Sequence, residues 1–323
     1  MRFGFSPVQS RSTFDALRSQ SQLAETLGFD VIWMHEHHSQ GQMYPDPLMA
    51  LAAVAPVTSR AGLGTNMLLL PIHHPVRIAQ AAAMLDILCN GRLLLGVANG
   101  YSSDDLRTFG VSSAQRGARM SAGLELIRAL WTRDEVSLSG EDFELDGYRL
   151  FPRPMQKPCP PIYVGGHARK AVERAARLGD HYLISTTQGT QNVVRLVAEY
   201  HQALRTFGLV EKSPALNRIV CVVPNQVEKR AAERLYAESF LTAYGKWGHE
   251  SVAELSSQER RDSHLSRDHF IIGEPSECIE LINEYAEIGI GHIACLMNFG
   301  SPDLALVERS MRLFGEKVIP HFS

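Results

Sequence analysis

The sequence predicts a single (β/α)8 barrel, the TIM-barrel arrangement, over residues 1–323. Three observations predict it. Short apolar runs of strand character alternate with helical periodicity from one end of the chain to the other. The length of 323 residues exceeds what one compact doubly wound domain needs and suits a large barrel with insertions. No Pro/Ser-rich stretch or single-sign charge run marks a linker between two domains. A doubly wound open sheet is the structural competitor for the same alternation.

The elements follow in order. Arg2–Ser6 reads as the first strand, and a helix begins near Ser12. Ser12 and Asp15 have capping-box spacing, Phe14, Leu17, Ala24 and Leu27 lie on adjoining faces, and Gly28 is the stop. Asp30–Met34 is the second strand, the Ala-rich Pro47–Ser59 the next helix, and Ala61–Leu69 the third strand. Pro75–Leu88 is helical, and Arg92–Ala98 is the fourth strand, with its helix over Ser113–Trp131. Between Glu135 and Pro154 apolar and polar residues alternate around Gly140 and Gly147. That pattern predicts a β-hairpin excursion before the fifth strand, Pro161–Val164.

Ala171, Val172, Ala175 and Leu178 form one face of the next helix, which Gly179 ends. His181–Ser185 is the sixth strand, with a helix over Gln191–Phe207. Arg218–Val223 is the seventh, with a helix from Val227 to Tyr244. Residues 245–268 are polar, weakly periodic and too long for an ordinary loop, so a lid-like insertion is expected after strand seven. Pro275 opens a helix with Ile279, Ile282 and Ala286 inward and Gly289 as its stop. His292–Met297 makes the eighth strand, and the last helix covers Pro302–Val318.

Composition removes several function classes. The net charge is −3 and the isoelectric point about 6.5, with no basic stretch, so neither nucleic acid nor an anionic membrane is an expected partner. The longest apolar run, Leu48–Val57, is too short to span a bilayer and contains Pro56. The start, Met1-Arg2-Phe3-Gly4-Phe5, reads as a strand without a signal-peptide core. Cys89, Cys159, Cys221, Cys278 and Cys295 are scattered, odd in number and free of CxxC spacing. Reduced, buried thiols in a cytoplasmic protein are therefore expected.

In a barrel, function sits where strands end and helices begin. After strand two comes His35-Glu36-His37-His38, costly groups to bury without purpose. His35 and His37 are two apart on an extended chain, which suits either a metal site or proton transfer. Strand three ends in Leu70-Pro71-Ile72-His73-His74-Pro75, where the histidines could also cap the following helix. Gly96-Val97-Ala98-Asn99-Gly100-Tyr101 permits close backbone approach to a flat ligand but is not a dinucleotide fingerprint. Gly165-Gly166-His167-Ala168-Arg169 runs from a strand into a helix N-terminus. It is either a phosphate seat or a tight turn that needs glycine for its geometry.

Taken together these junctions resemble the bacterial luciferase-like flavin-dependent monooxygenases over essentially the whole chain. The matching words are Gly28-Phe29-Asp30-Val31-Ile32-Trp33, Glu36-His37-His38, Leu70-Pro71-x-x-His74-Pro75-Val76-Arg77 and Leu85-Asp86-x-Leu88-x-x-Gly91-Arg92. Pro161-Ile162-Tyr163-Val164-Gly165-Gly166 and the tail Ser310-Met311-x-Leu313-Phe314 with Pro320 continue the match. Each word is loose; their order and spacing are specific.

The resemblance implies that His37 lies beside the flavin as general base and that His38 is mainly structural. It implies a cis peptide between Asn66 and Met67 beneath the flavin ring, and a phosphate held at Gly165, Gly166, His167 and Ala168. The chain departs from luciferase itself in three places. Ala98-Asn99 stands where luciferase has Cys-Arg, His167-Ala168 where it has Glu-Ser, and Ser185-Thr186-Thr187 where it has aromatic residues. Light emission is not implied. With the arginine missing at Asn99, the phosphate is expected to rely on backbone amides, on Tyr101 or Ser102, or on Arg116 or Arg119.

The function that follows is a two-component monooxygenase. A separate flavin reductase supplies reduced FMN, O2 adds at the flavin C4a position, and the peroxide oxidises a small organic substrate. The resemblance, with the Ala-rich second helix, also implies a homodimer. A related barrel using a deazaflavin for hydride transfer is a variant of this reading. The alternatives are a metal-dependent hydrolase using His35 and His37 with His74, His181 or Asp180, and a flavin-binding protein without turnover.

Overall fold

The computed structural model describes residues 1–9, 14–38, 43–140, 142–246, 264–300 and 303–322. The apolar runs become β1 (Arg2–Phe5), β2 (Val31–Met34), β3 (Gly62–Thr65), β4 (Leu68–Leu69), β5 (Leu93–Ala98), β6 (Val136–Gly140), β7 (Phe143–Tyr148), β8 (Ile162–Gly165), β9 (His181–Ile184), β10 (Ala215–Val222), β11 (Phe270–Gly273) and β12 (His292–Leu296). In the order β1, β2, β3, β5, β8, β9, β10, β12 they pair in parallel, and β12 returns to β1. The result is the expected closed eight-stranded barrel with helices around it. The open-sheet alternative is excluded by the register Arg2↔His292 through Phe5↔Cys295, which joins the first strand to the last.

Side-chain alternation divides the core in two. Val31, Trp33, Leu94, Tyr163, Leu183, Ala215 and Ala294 fill the barrel interior. Their neighbours Ile32, Met34, Leu93, Leu95, Ile162 and Val164 face outward against the helices. The fully buried Trp33 indole fits inside because Gly4 and Gly64 leave room for it. A Cβ on either glycine would run into the indole ring.

Four details differ from the sequence reading. The third strand is not continuous to Leu69. It breaks at the Asn66–Met67 peptide, which is cis, and resumes as β4, paired with β5 through Leu68↔Val97 and Leu69↔Ala98. The Ala-rich helix ends at Val54 and passes into a 3-10 turn, Ala55–Val57, because Pro56 has no N–H and its ring crowds the preceding turn. After β5 a short helix, Ser103–Thr108, comes first, capped by Ser102 Oγ accepting the Asp105 N–H at 3.1 Å. The long helix then begins at Arg116 rather than near Ser113.

The fourth difference is an extra strand. β11 lies along β10, with Ile219 paired to both Phe270 and Leu296, so it takes the β10 edge that β9 leaves beyond Leu216. The hairpin excursion is present as antiparallel β6–β7. The lid-like insertion, 245–268, lies mostly outside the described residues, as does the Ser12 half of the proposed capping box.

Candidate active site

At the C-terminal end of β2 the chain stays extended, so successive side chains diverge. The His35 ring turns to Ser6, Nε2 lying 3.0 Å from Oγ, while its backbone is clipped on both sides by the Gln9 amide at 3.0 and 2.9 Å. Glu36 turns the opposite way and is buried. Its Oε1 accepts from His38 Nε2 at 2.6 Å and His73 Nε2 at 2.7 Å, and its Oε2 accepts the Leu69 N–H at 2.7 Å. His37 lies near Tyr101, ring centroids 6.5 Å apart, and its backbone N–H donates to Tyr44 O at 3.3 Å.

These environments separate the groups by protonation. Burial lowers the His37 pKa to about 4, against the opposing pull of Asp105 and Glu36. A hydrogen bond to Glu36 raises His38 above the usual imidazole value, despite its burial. Burial alone would raise Glu36. The bonds from His38, His73 and the Leu69 N–H outweigh it and hold the carboxyl below the usual range. At neutral pH the mouth therefore offers a neutral His37 beside an anionic Glu36 that is already bonded to its partners.

The floor comes from the ends of β3, β5, β8 and β10. Asn66 and Asn217, on opposite strands, exchange amide hydrogen bonds at 2.7 and 3.0 Å. Met67 lies across the inward faces of Gly96 and Gly165, where a Cβ would meet its sulfur at 3.2 Å and its terminal methyl at 3.1 Å. Glycine at both positions thus makes room for the Met67 side chain, and at Gly96 a Cβ would also run into the Thr65 carbonyl. Two buried oxygens at this rim, Asn99 Oδ1 and Thr186 Oγ1, have no hydrogen-bond partner among the described residues.

Gly165 ends β8, and Gly166 has φ +144°, a conformation open to glycine. Its carbonyl is held by the Tyr182 hydroxyl at 2.6 Å. Ala168 is the N-cap of the helix Arg169–Leu178; the Ala171 N–H turns back to Ala168 O at 2.7 Å, while the Arg169 and Lys170 N–H groups precede any intrahelical acceptor. A Met67 side chain seated over two glycines, an unpaired amide oxygen and a helix N-terminus at one mouth fit a flat heteroaromatic ring with an anionic tail.

The other side chains named for the phosphate have structural partners. Ser102 Oγ caps its helix, Arg116 donates to Gly100 O at 2.9 Å, and Arg119 is engaged by Pro71 O and Asp142.

The metal set suggested by the sequence does not assemble. His35 is occupied with Ser6, while Asp180 precedes β9 and His181 opens it, at the opposite end of the barrel. His74 is exposed at the start of the helix Pro75–Leu88 and makes no side-chain cap bond. Sequence reasoning also missed three contributors: Glu36 as the joint between two loops, buried Asp105 facing both His37 and His38, and Asn217 beneath Asn66. The Glu-His-His word carried a signal for the first. Asn217 carried none, because its partner is 151 residues away.

Comparison with known proteins agrees with this fold. A family model described as luciferase-like monooxygenase matches residues 1–292. The oxygenase component of a flavin-dependent trigonelline monooxygenase from Acinetobacter baylyi is 26% identical, over 97% of this chain and 91% of that protein. An F420-dependent glucose-6-phosphate dehydrogenase from Amycolatopsis mediterranei is 29% identical, over 92% of this chain and 91% of that protein. Among solved structures, the oxygenating constituent of 3,6-diketocamphane monooxygenase from Pseudomonas putida, in complex with FMN, superposes with a TM-score of 0.84. It is 20% identical, with 99% of this chain and 98% of that one covered.

Proposed function

This chain belongs to the luciferase-like monooxygenase family, and from that premise we propose that it is an FMN-dependent monooxygenase. Reduced FMN comes from a separate flavin reductase, and O2 and a small organic molecule are the other substrates. One observation carries this reading: the neutral, half-buried His37 stands at the same barrel mouth as Met67, seated over Gly96 and Gly165, and the helix N-terminus.

Asn66, Met67 and Asn99 would hold the ring system, with Tyr101 and Ser102 beside it, while Gly165, Gly166, His167 and Ala168 would hold the phosphate through backbone N–H groups. Reduced FMN, when bound, supplies the electrons that activate oxygen. The protein's own part is to bind, orient and move one proton. His37, held neutral, accepts that proton at a ring nitrogen, and Glu36 keeps the loop that carries it in place. The floor keeps the ring from sinking into the barrel, because Met67, Trp33 and Tyr163 fill the space beneath.

In this reading the chain is one barrel domain that works in the cytoplasm as a homodimer. The five buried, unbridged cysteines suit a reducing compartment. Met49, Met84, Ile87 and Leu88 supply the apolar face for a second copy, since they are exposed on the helices Pro47–Val54 and Pro75–Leu88, which pack side by side. Among the described residues no helix is long and apolar enough to cross a membrane.

The F420-dependent relative keeps a deazaflavin hydride-transfer reading in play, and one experiment separates the two. The purified protein is titrated with FMN, riboflavin and F420, following cofactor fluorescence, and then given reduced FMN and O2 with candidate substrates while products are analysed by mass. FMN is expected to bind at least about tenfold more tightly than riboflavin, a difference of about 1.4 kcal/mol. Oxygen uptake should accompany a product heavier by one oxygen atom. Preference for F420 would overturn the monooxygenase reading, and equal affinity for FMN and riboflavin would move the phosphate away from Gly166.

A further inference from the structure

Three side chains beside the proposed proton acceptor meet at a single oxygen. Glu36 Oε1 receives His38 Nε2 at 2.6 Å and His73 Nε2 at 2.7 Å. A carboxylate only accepts, so both ring nitrogens donate. Side-chain exposure rises along the series: Glu36 is 0% exposed, His38 14% and His73 26%. An unbroken line of hydrogen bonds thus leads from the partly exposed His73 ring to a fully enclosed carboxylate, and on to His38.

We propose that Glu36 is a positioning residue and that His73, Glu36 and His38 form a proton store exchanging with solvent beside His37. The proposal rests on the reading of His37 as proton acceptor. Glu36 sets the geometry, because its second oxygen fastens the Leu69 N–H and so ties the loop after β2 to β4 itself. His73 and His38 each keep a proton at Nε2 on Glu36 Oε1, and His38 takes up or gives out a second proton at its other ring nitrogen, exchanging it with water; only N–H and O–H bonds change. The charged groups facing these rings are few. His38 faces Glu36 on its own loop, His73 from the segment after β4 and Asp105 from the helix Ser103–Thr108. His37 faces Asp105, Glu36, His38, His35 and Tyr101. The upward displacement of His38 and the downward displacement of Glu36 agree with a proton shared between them.

A divalent metal is the competing occupant, since the same three ligand atoms lie within 4.8 Å of one another. The spacing favours protons. Ligand atoms around a zinc ion with bonds of about 2.0–2.2 Å stand more than about 3 Å apart. Here the nitrogens are at charge-assisted hydrogen-bond distance from the oxygen.

The test uses the full chain labelled with 15N-histidine, titrated by NMR without flavin, so that it stands apart from any failure of the FMN reading. In the parent protein His38 is expected to titrate above the ordinary imidazole value. In Glu36→Gln, which keeps the shape of the side chain, its midpoint should fall by about one pH unit or more. His73→Gln leaves the Glu36–His38 bond in place and should leave the His38 midpoint above the ordinary imidazole value. It should leave FMN affinity within about twofold. Should Glu36→Gln fail to fold, the parent titration and His73→Gln decide. A parent His38 that titrates at or below the ordinary value, a midpoint unmoved by Glu36→Gln, or uptake of one zinc ion per chain from zinc chloride alone would overturn the proposal.

Discussion

The two ends of the barrel both bury histidines, and they treat them differently. At the N-terminal end His292 sits on β12 against Trp33, ring centroids 5.6 Å apart, and His181 stacks on Tyr163 at 4.5 Å. Burial, with Arg2 and His181 nearby, takes His292 down to about 3, and neither of its ring nitrogens has a hydrogen-bond partner among the described residues. At the C-terminal mouth, Glu36 binds two imidazoles at once and Asp105 faces a third. Burial is common to both ends. What separates His292 from His38 is counter-charge: no carboxylate acts on His292, which serves as uncharged filling, whereas Glu36 and Asp105 both favour a proton on His38.

The sharpest way to break this comparison is by mutation at each end. His37→Ala should lower product formation by roughly 10²–10⁴ while FMN affinity changes only a few-fold. His292→Phe should leave product formation intact. Matching losses, measured by product mass with reduced FMN, would put both histidines in one role.

A smaller effect sharpens the structural half of the contrast. Gly64→Ala drives a methyl group into the Trp33 ring, which is rigid and enclosed, so overpacking should cost about 1–3 kcal/mol in urea unfolding. Gly110→Ala meets open space and should cost only the strain of its φ of +70°. Equal losses would mean that the interior is looser than the packing around Trp33 implies.

The smallest effect concerns acid. His35 and His292 have folded pKa values near 3, below the ordinary 6.5, so the unfolded chain takes up more protons between those limits. Their contribution to stability is whole above pH 6.5 and is lost as pH falls toward about 3. His292→Phe removes one of the two and should flatten the acid limb. It should also gain about 1 kcal/mol at neutral pH, because an unsatisfied polar ring is replaced by an apolar one. An unchanged acid limb in urea titrations from pH 3 to 8 would show that His292 is protonated, or finds a partner, in the folded protein.

Much of the fold was legible because periodicity is local. All eight barrel strands and the hairpin are present in the expected order, though the third breaks at Asn66–Met67 and the seventh begins at Ala215, ahead of the expected Arg218. The short strand Phe270–Gly273 was lost because four apolar residues next to a polar stretch carry no period of their own. The mouth was legible in part. The Glu-His-His word, the glycine pair and the cis peptide could be named from the chain. Yet residue types could not tell that His35 turns toward Ser6 while Glu36 gathers His38 and His73, because direction depends on which loop arrives opposite. The short helix after β5 was missed for a similar reason. Ser102, read as a phosphate ligand, is also a good N-cap, and the helix it caps brings Asp105 into the site.

The amide pair between Asn66 and Asn217 has a consequence for how the molecule comes into being. These two side chains steady each other, yet 151 positions separate them along the chain. During synthesis, at about 5–20 residues per second, Asn66 waits on the order of ten seconds before its partner is made. A nascent chain that has grown past Gly165 already holds the glycines of the floor but not the strand that braces them. The mouth is therefore finished late, and a cofactor meets it as something already built.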